Sequence, residues 1–505
     1  MLKQYRVLDV NGALEMNLLA LAFMTTYAAV LAVICMYGLH RYWVVWAFLR
    51  QRRRAGEPQP SPATGRLPRV TVQLPMFNER HVAARVIQAA CGIDYPGDLL
   101  EIQVLDDSTD ESAEIARSCC RRMAAAGHDI VYLHRDNREG FKAGALAHGL
   151  ASAKGDLIAV FDADFVPPPD ILRRTVDWFG DPGVGMVQLR WTHLNRDESL
   201  LTQIQAMFLD GHFVIEQTAR AASDRWFNFN GTAGIWRGSC IADAGGWQHD
   251  TLTEDTDLSY RAQMKGWRFR YLSDVVCPAE IPPTVSAFLT QQHRWNKGLI
   301  QTAIKLMPKI LRSSAPLKTK IEAWFHLTSP LIHLAIVILA LLAVPFLLLP
   351  SLPSAINLDP RLTLGLGLIF LILGTIAAST FYLTSQWALG KSLPKTLIRL
   401  PLLMAIGIGI SVTNARAVLE AVLGLKSPFL RTPKFNGAEY SAADPLLSKH
   451  HQLLPAGTIE IVIGLLMALC VALTFVRPYT LVGAPFLLLF ATGYLGIGVA
   501  SYRQA

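Results

Sequence analysis

Acidic residues recur in this chain where apolar runs end. Asp106 and Asp107 follow the run 101–105, and Asp162 and Asp164 close a second run, 157–161. Carboxylates two residues apart at a strand end can point the same way, and hard oxygen ligands so placed suit Mg2+ or Mn2+ carrying a diphosphate. Acids that only turn the chain after a strand have the same pattern. Asp106-Asp107-Ser108-Thr109-Asp110 can equally cap the next helix, whose N-terminus would favour a phosphate. Further on, Thr253-Glu254-Asp255 is followed by Asp257. Crowded carboxylates raise one another's pKa, which suits one of them to act as a general base; an acidic start to a helix is the other reading. Gln291, Arg294 and Trp295 then share one face of a helix. Arg can grip a phosphate with two hydrogen bonds, Gln can bond a hydroxyl and Trp can stack on a sugar ring; a snorkelling Arg beside an interfacial Trp is the alternative. Gly140-Phe141-Lys142-Ala143-Gly144 adds a turn and one cation. The reaction these groups could share is sugar transfer from a nucleotide diphosphate.

The elements that must position them are of two kinds. From residue 69, short β-rich runs (70–74, 101–105, 130–133, 157–161 and 184–189) alternate with amphipathic stretches such as 113–125. That alternation predicts a mostly parallel α/β sheet, buried on both faces. Ligands bind such sheets beyond the carboxyl ends of the strands, where strand order switches, and the acids sit there. Around this region the 505-residue chain is 51% hydrophobic and only 17% charged, too apolar for an ordinary soluble protein. Uncharged runs at 16–39, 323–357, 362–390 and 480–502, with a shorter one at 461–476, predict five transmembrane helices. The first run exceeds a signal-peptide core and no small-residue cleavage site follows, so it is expected to be retained. Lys3 and Arg6 precede it, whereas Arg41, Arg50, Arg52, Arg53 and Arg54 follow, which predicts that residues 50–320 are cytoplasmic.

The expected organisation is an N-terminal transmembrane helix (1–50), a linker (51–68), a cytoplasmic catalytic domain (69–298), an interfacial helix (299–322), two transmembrane helices (323–389), a cytoplasmic interfacial segment (390–454) and two further transmembrane helices (455–505). Residues 401–425 are assigned to the interface because their uninterrupted apolar stretch is short. The net charge of +8 concentrates near the membrane and suits anionic lipids. No dense basic motif with interleaved aromatics points to nucleic acid. The seven cysteines have no C-x-x-C spacing and read as packing residues.

In this order the motifs resemble the D, D, D, Q-x-x-R-W signature of processive family 2 glycosyltransferases, which include cellulose, hyaluronan and chitin synthases. Residues 229–237 (Phe-Asn-Gly-Thr-Ala-Gly-Ile-Trp-Arg), Ala244-Gly245-Gly246-Trp247 and Gln291-Gln292-His293-Arg294-Trp295 are similar to the cellulose-synthase-like A and C branch, whose members make β-mannan, glucomannan or β-glucan. The resemblance runs from about residue 70 to 297 and implies a GT-A fold. It implies that Asp107, with Asp106 beside it, contacts the nucleoside, and that Asp162 and Asp164 hold Mg2+ or Mn2+ and the diphosphate near Lys142. It implies that Asp255 deprotonates the acceptor hydroxyl, and that Gln291, Arg294 and Trp295 position the diphosphate and the chain-terminal sugar. The activity implied is an inverting hexosyltransferase that takes UDP-glucose or GDP-mannose and extends a β-linked polysaccharide, with translocation of the chain. A single-addition enzyme glycosylating diacylglycerol or ceramide carries the same motifs and stays open. Residues 429–434 resemble the F-x-V-T-x-K gating loop of cellulose synthases, with Arg431 in place of the valine. That likeness implies that Phe429, Thr432 and Lys434 close over the nucleotide. The expected setting is a multi-pass protein of the bacterial inner membrane with a cytoplasmic catalytic domain. Its expected partners are a nucleotide sugar, a glycan or lipid acceptor and membrane lipids; the residues do not specify an oligomeric state.

Overall fold

The structure, a computed structural model, describes residues 2–53, 67–348, 369–426, 434, 455–476 and 478–504, with side chains from residue 18 onward except at 371 and 478–480. Phe429 and Thr432 lie outside the described residues. The chain divides into two compact units, one made of Val44–Thr328 and Leu419–Ser448, the other of Met1–Trp43, Ser329–Val418 and Lys449–Ala505.

The first unit is built on seven strands: β1 (Val70–Met76), β2 (Leu100–Asp106), β3 (Ile130–His134), β4 (Leu157–Val160), β5 (Val184–His193), β6 (Gly234–Arg237) and β7 (Arg268–Ala279). They form one sheet in the order β3-β2-β1-β4-β6-β5-β7. All pairs are parallel except β4–β6 and β5–β6. The five expected strands are present, so the sheet is mostly parallel as the sequence predicts. The antiparallel β6 is too short to show a period, and the alternation of β7 is broken by a register shift at residues 273–275.

Period-two alternation sorts the strand side chains onto two cores. Val70, Val72, Leu74, Ile102 and Val104 pack with Val86 and Ile87 of helix Ala83–Cys91. Leu105, Ile158 and Val160 pack on the opposite face with Leu146 of helix Phe141–Leu150 and with Trp236. Polar pairs fix the register between β1 and β2: Thr71 Oγ1 donates to Glu101 Oε2 at 2.6 Å, and Gln73 Nε2 donates to Gln103 Oε1 at 3.0 Å. A slip of one residue would orphan both pairs in the interior, which disfavours any other register. Cys91, Cys119, Cys120 and Cys277 are free thiols in the first core and Cys240 is one in the second, so they are packing residues.

Helix Val285–Arg312 carries Gln291, Arg294 and Trp295 and runs on past residue 299. The expected interfacial helix 299–322 is therefore not one element. Its first part continues this helix, the chain turns at residues 313–316, and helix Leu317–Thr328 follows. Pro316 drives the residue before it out of the helical region, which explains the break.

Five helices are long and apolar enough to cross a membrane by length and composition: Leu18–Arg53, Leu331–Leu348, Leu393–Val422, Thr458–Val476 and Leu481–Arg503. The chain is accordingly a multi-pass membrane protein. Residues 393–422, expected at the interface, are among the five. Judging the stretch only from Pro401 omitted the preceding turns, whose Leu393, Leu397 and Ile398 lengthen the apolar run despite Lys395 and Arg399. The expected span 362–390 is described from residue 369 and is helical to Ala388. Within the membrane unit, a Cβ on Gly409 would lie 2.4 Å from Gly493 O, so glycine permits this close helix crossing. Polar side chains pack there too: the buried Asn414 has its Nδ2 3.2 Å from His333 Nε2, and the half-buried Arg41 sits 4.7 Å over the Phe381 ring.

Candidate active site

Strand order switches between β1 and β4, with β2 and β3 on one side of the switch and β4, β6, β5 and β7 on the other. The backbone ladder continues to the point where the acids emerge: Asp107 N–H donates to Met76 O at 3.0 Å, and Phe161 N–H donates to Gln73 O at 3.1 Å. Beyond lies a cleft of about 170 Å³ whose walls include Asp107, Lys142, Asp162, Asp164, Asp255, Gln291, Arg294, Trp295 and Lys434. Residues from six separate stretches of sequence meet there. Asp106 does not line it. Its carboxylate is fully buried and accepts hydrogen bonds from Tyr132 Oη at 2.6 Å and Ser108 N–H at 3.1 Å. Asp106 thus braces β3 and the turn after β2, and the expected contact with a ligand falls to Asp107 alone. Asp107 accepts two hydrogen bonds from Arg135, Nε to Oδ1 at 2.7 Å and Nη2 to Oδ2 at 2.5 Å. Arg135 also donates to the carbonyls of Glu139 and Phe141, which ties the Asp107 wall to the start of the Lys142 helix.

Two glycines shape that start. Gly140 has φ +71, and a Cβ on Gly144 would lie 2.0 Å from Glu139 O. The tight turn brings Lys142 Nζ to 2.5 Å from Asp162 Oδ1 and 2.9 Å from Gly231 O. Burial works to lower the Lys142 pKa, but Asp162, Glu254 and Asp255 raise it overall, so the ammonium stays charged. Asp162 is pushed up by burial and by Asp164, with Lys142 opposing. Lys434 Nζ lies 2.5 Å from Asp164 Oδ2 and donates to Glu280 O at 3.2 Å, so this residue of the expected gating motif reaches the acid pair.

Asp255 sits in the first turn of helix Glu254–Met264. Burial and then the neighbouring Glu254 raise its pKa to about 7, against the Thr256 N–H and Lys142, which favour the carboxylate. Glu254 is likewise raised by burial. Asp257 leaves the site: it pairs with Arg261 at 2.7 Å and with Lys305 at 2.8 Å. The loop opposite Asp255 must be bare. A Cβ on Gly231, at φ +81, would lie 3.1 Å from Asp255 Oδ2 and 3.4 Å from Lys142 Nζ. Buried amides hold that loop: Asn230 N–H donates to Gln188 Oε1 at 2.9 Å, and Asp162 N–H donates to Thr232 Oγ1 at 2.8 Å.

The Gln291 helix is pressed against the segment before Asp255. Leu252 N–H donates to Gln301 Oε1 at 2.9 Å, and a Cβ on Gly298 would lie 2.6 Å from Thr253 Cγ2. That contact fixes Arg294 relative to Asp255. Burial lowers the Arg294 pKa, while Glu254, Asp162, Asp255 and Asp164 pull it up, so the guanidinium faces a ring of acids. The cleft therefore holds four cations (Arg138, Lys142, Arg294 and Lys434), the Asp162–Asp164 acid pair and one carboxyl able to change protonation near neutrality. Sequence reasoning assigned no role to Arg135 or Gly298, named Gly231 only within the 229–237 motif, and counted Glu254 among the crowded acids that raise one another's pKa. Arg135 directly follows β3, so the strand-end rule that found the acids also reaches it; Gly298 depends on a contact between distant segments.

Residues 68–298 match the model of the glycosyltransferase-like family 2. A glucomannan 4-β-mannosyltransferase of Oryza sativa subsp. japonica is 44% identical over 273 residues, 53% of this chain and 51% of its own length. One from Arabidopsis thaliana is 45% identical over 262 residues, 51% of this chain and 48% of its own. A second from Arabidopsis thaliana is 48% identical over 236 residues, 46% of this chain and 44% of its own. The chain thus spans about half the length of the curated relatives it matches. A solved mannosyltransferase from Pyrobaculum calidifontis, in complex with GDP-Man and Mn2+, is 22% identical with a TM-score of 0.48 and covers 81% of this chain and 100% of its own; a likeness at that level carries no argument. The relatives come from plants and lend no support to a bacterial inner membrane as the setting. With its mostly parallel seven-stranded sheet and acid-tipped strands, the region 68–298 has a GT-A-like fold, matches the glycosyltransferase-like family 2 and is similar to the glucomannan mannosyltransferases.

Proposed function

We propose that the chain is an inverting hexosyltransferase that moves mannose from GDP-mannose to the end of a growing β-linked polysaccharide. The observation that carries this reading is Asp255, a carboxyl held at about 7 in the same cleft as Lys142, Arg294 and the Asp162–Asp164 pair. A base with a pKa near the working pH is the one best matched to proton transfer. In the reaction the Asp255 carboxylate takes the proton of an acceptor hydroxyl. The freed oxygen bonds to the anomeric carbon as the bond to the donor diphosphate breaks on the opposite face, so an α-linked donor gives a β-linkage. Lys142 and Arg294 face the charge that collects on the departing diphosphate. Trp295 and Gln291 offer a stacking face and a hydrogen-bonding amide to the acceptor sugar.

Asp162 and Asp164 fit a Mg2+ or Mn2+ whose other ligands are phosphate oxygens and water, the usual way such ions are held in phosphate sites. Among the described residues no group of three or more His, Cys, Asp or Glu could hold a metal, which is consistent with an ion completed by its substrate. Such an ion would neutralise the diphosphate as leaving group. The names of the relatives favour mannose over glucose as the transferred sugar and a polysaccharide over a lipid as acceptor. The buried Asn414 and its neighbour His333 support passage of the polar chain through the membrane unit, since such groups inside spans mark pathways. Positive charge after the first span favours a cytoplasmic active site. A panel of sugar nucleotides, each assayed with and without Mg2+ or Mn2+ on the purified full chain, tests the reading. GDP-mannose is expected to support metal-dependent incorporation. Incorporation from UDP-glucose alone, or from no nucleotide sugar, would overturn it.

A further inference from the structure

β5 ends at Trp191-Thr192-His193, where His193 is in register with Ala279 of β7 and Phe165 bridges the same Ala279. Trp191 and His193, two apart on a strand, lie on one side of it and both line the cleft with Phe165, Leu209 and Ile281. The Trp191 ring is packed edge-on to Phe165 at 5.1 Å and against Phe213 at 4.7 Å between centroids, so its position is fixed. The His193 side chain is 2% exposed. Neither of its ring nitrogens has a hydrogen-bond partner among the described residues, and neither has the Trp191 indole N–H. Asp210 Oδ1 is 3.9 Å from His193 Nε2, beyond hydrogen-bond reach, and Asp210 is paired with Arg196 at 2.8 Å. Burial, with Arg196 and Arg190 adding to it and Asp210 opposing, lowers the His193 pKa to about 4, so the ring is neutral. Buried polar atoms are nearly always satisfied, and three unsatisfied ones on two residues that line a single cleft ask for a ligand.

The chemistry of the atoms narrows that ligand. A neutral imidazole offers one donor and one acceptor, the indole offers one more donor, and the remaining wall is aromatic and aliphatic. An anion would meet no fixed positive charge on these atoms and would have Asp210 beside it. A hexose ring matches, with hydroxyls that both donate and accept and a C–H face for an apolar wall. We propose that Trp191 and His193 form a hydroxyl-reading subsite of the cleft and that His193 is a specificity-determining residue for the hexose held there. This rests on the transferase reading above; the sugar read is either the donor hexose or the terminal sugar of the acceptor.

The test compares hexose substrates with their single-deoxy analogues on the full chain in lipid nanodiscs. One arm varies GDP-mannose and the other varies β-mannan oligosaccharides at their terminal sugar. Wild type is expected to lose about ten-fold or more in kcat/KM for one deoxy position, because that analogue leaves buried groups unpaired. In His193→Phe the penalty at that position is expected to fall to none while penalties at other positions persist, and His193→Gln is expected to restore part of it. The arm in which the penalty collapses identifies the sugar. Trp191→Phe, which removes the indole N–H along with part of the ring, reads the same question if His193→Phe fails to fold. Deoxy penalties unchanged in these variants in both arms would overturn the subsite and leave the transferase reading intact. Absence of any transfer by wild type would overturn the transferase reading first.

Discussion

Replacing Asp255 by Asn removes the proton acceptor while keeping the size of the side chain, and its effects on rate and on stability have opposite signs. General-base catalysis contributes roughly 10²–10⁴-fold, or about 3–5 kcal/mol of barrier, so transfer is expected to fall by that factor. The stability effect follows from the carboxyl's pKa of about 7 in the fold against an ordinary 3.8. Because the folded-state value is the higher one, folding takes up a proton. The associated stability is fully present below about pH 4 and is lost as pH rises through 7. Three units correspond to about 4 kcal/mol, and screening by water in the open cleft reduces that to about 2–4 kcal/mol. Asn carries no such penalty, so Asp255→Asn is expected to melt higher than wild type at pH 8, with the gap narrowing at pH 5. The assays are incorporation of radiolabelled mannose and thermal unfolding of the purified chain at the two pH values. Wild-type kcat/KM should also fall with slope one as pH drops below about 7. An Asn variant that transfers within ten-fold of wild type, or that melts lower at pH 8, would refute the reasoning.

Arg135→Ala should leave Asp107 buried without its partner and cost about 3–5 kcal/mol of stability, with a raised KM for the donor; thermal unfolding and donor titration check both. Gly298→Ala puts a methyl against Thr253 and should cost about 1–3 kcal/mol, lowering kcat more than it changes donor KM, since it shifts the Gln291 helix relative to Asp255. Chelation by EDTA should abolish transfer, and Asp164→Asn should raise the concentration of Mg2+ or Mn2+ needed to restore it, read by titrating metal against incorporation.

Much of the sheet was legible because each expected strand is a run of apolar residues long enough to reveal a period. The same alternation also separates Asp106 from Asp107, although the strand-end rule alone grouped them. Ile102, Val104 and Asp106 share a parity that points to the first core, whereas Asp107 lies one residue beyond the strand and opens into the cleft. Other features depend on contacts that no local pattern encodes. Lys142 meets Asp162 across a helix and a strand, and Asp257, crowded beside Asp255 in the sequence, is drawn away by Lys305. Gly298 reads as an ordinary residue of a helix until Thr253 is found against it. The segment 393–422 was read only from Pro401 onward, so the full length of the helical stretch was not counted.

The most direct test of the central claim is the size and linkage of the product made from radiolabelled GDP-mannose by the purified chain with Mg2+ or Mn2+. The account predicts label that elutes from gel filtration as polymer, is degraded by an endo-β-mannanase and is absent from Asp255→Asn. Label recovered instead as an organic-soluble glycolipid, or polymer made equally well by Asp255→Asn, would contradict it.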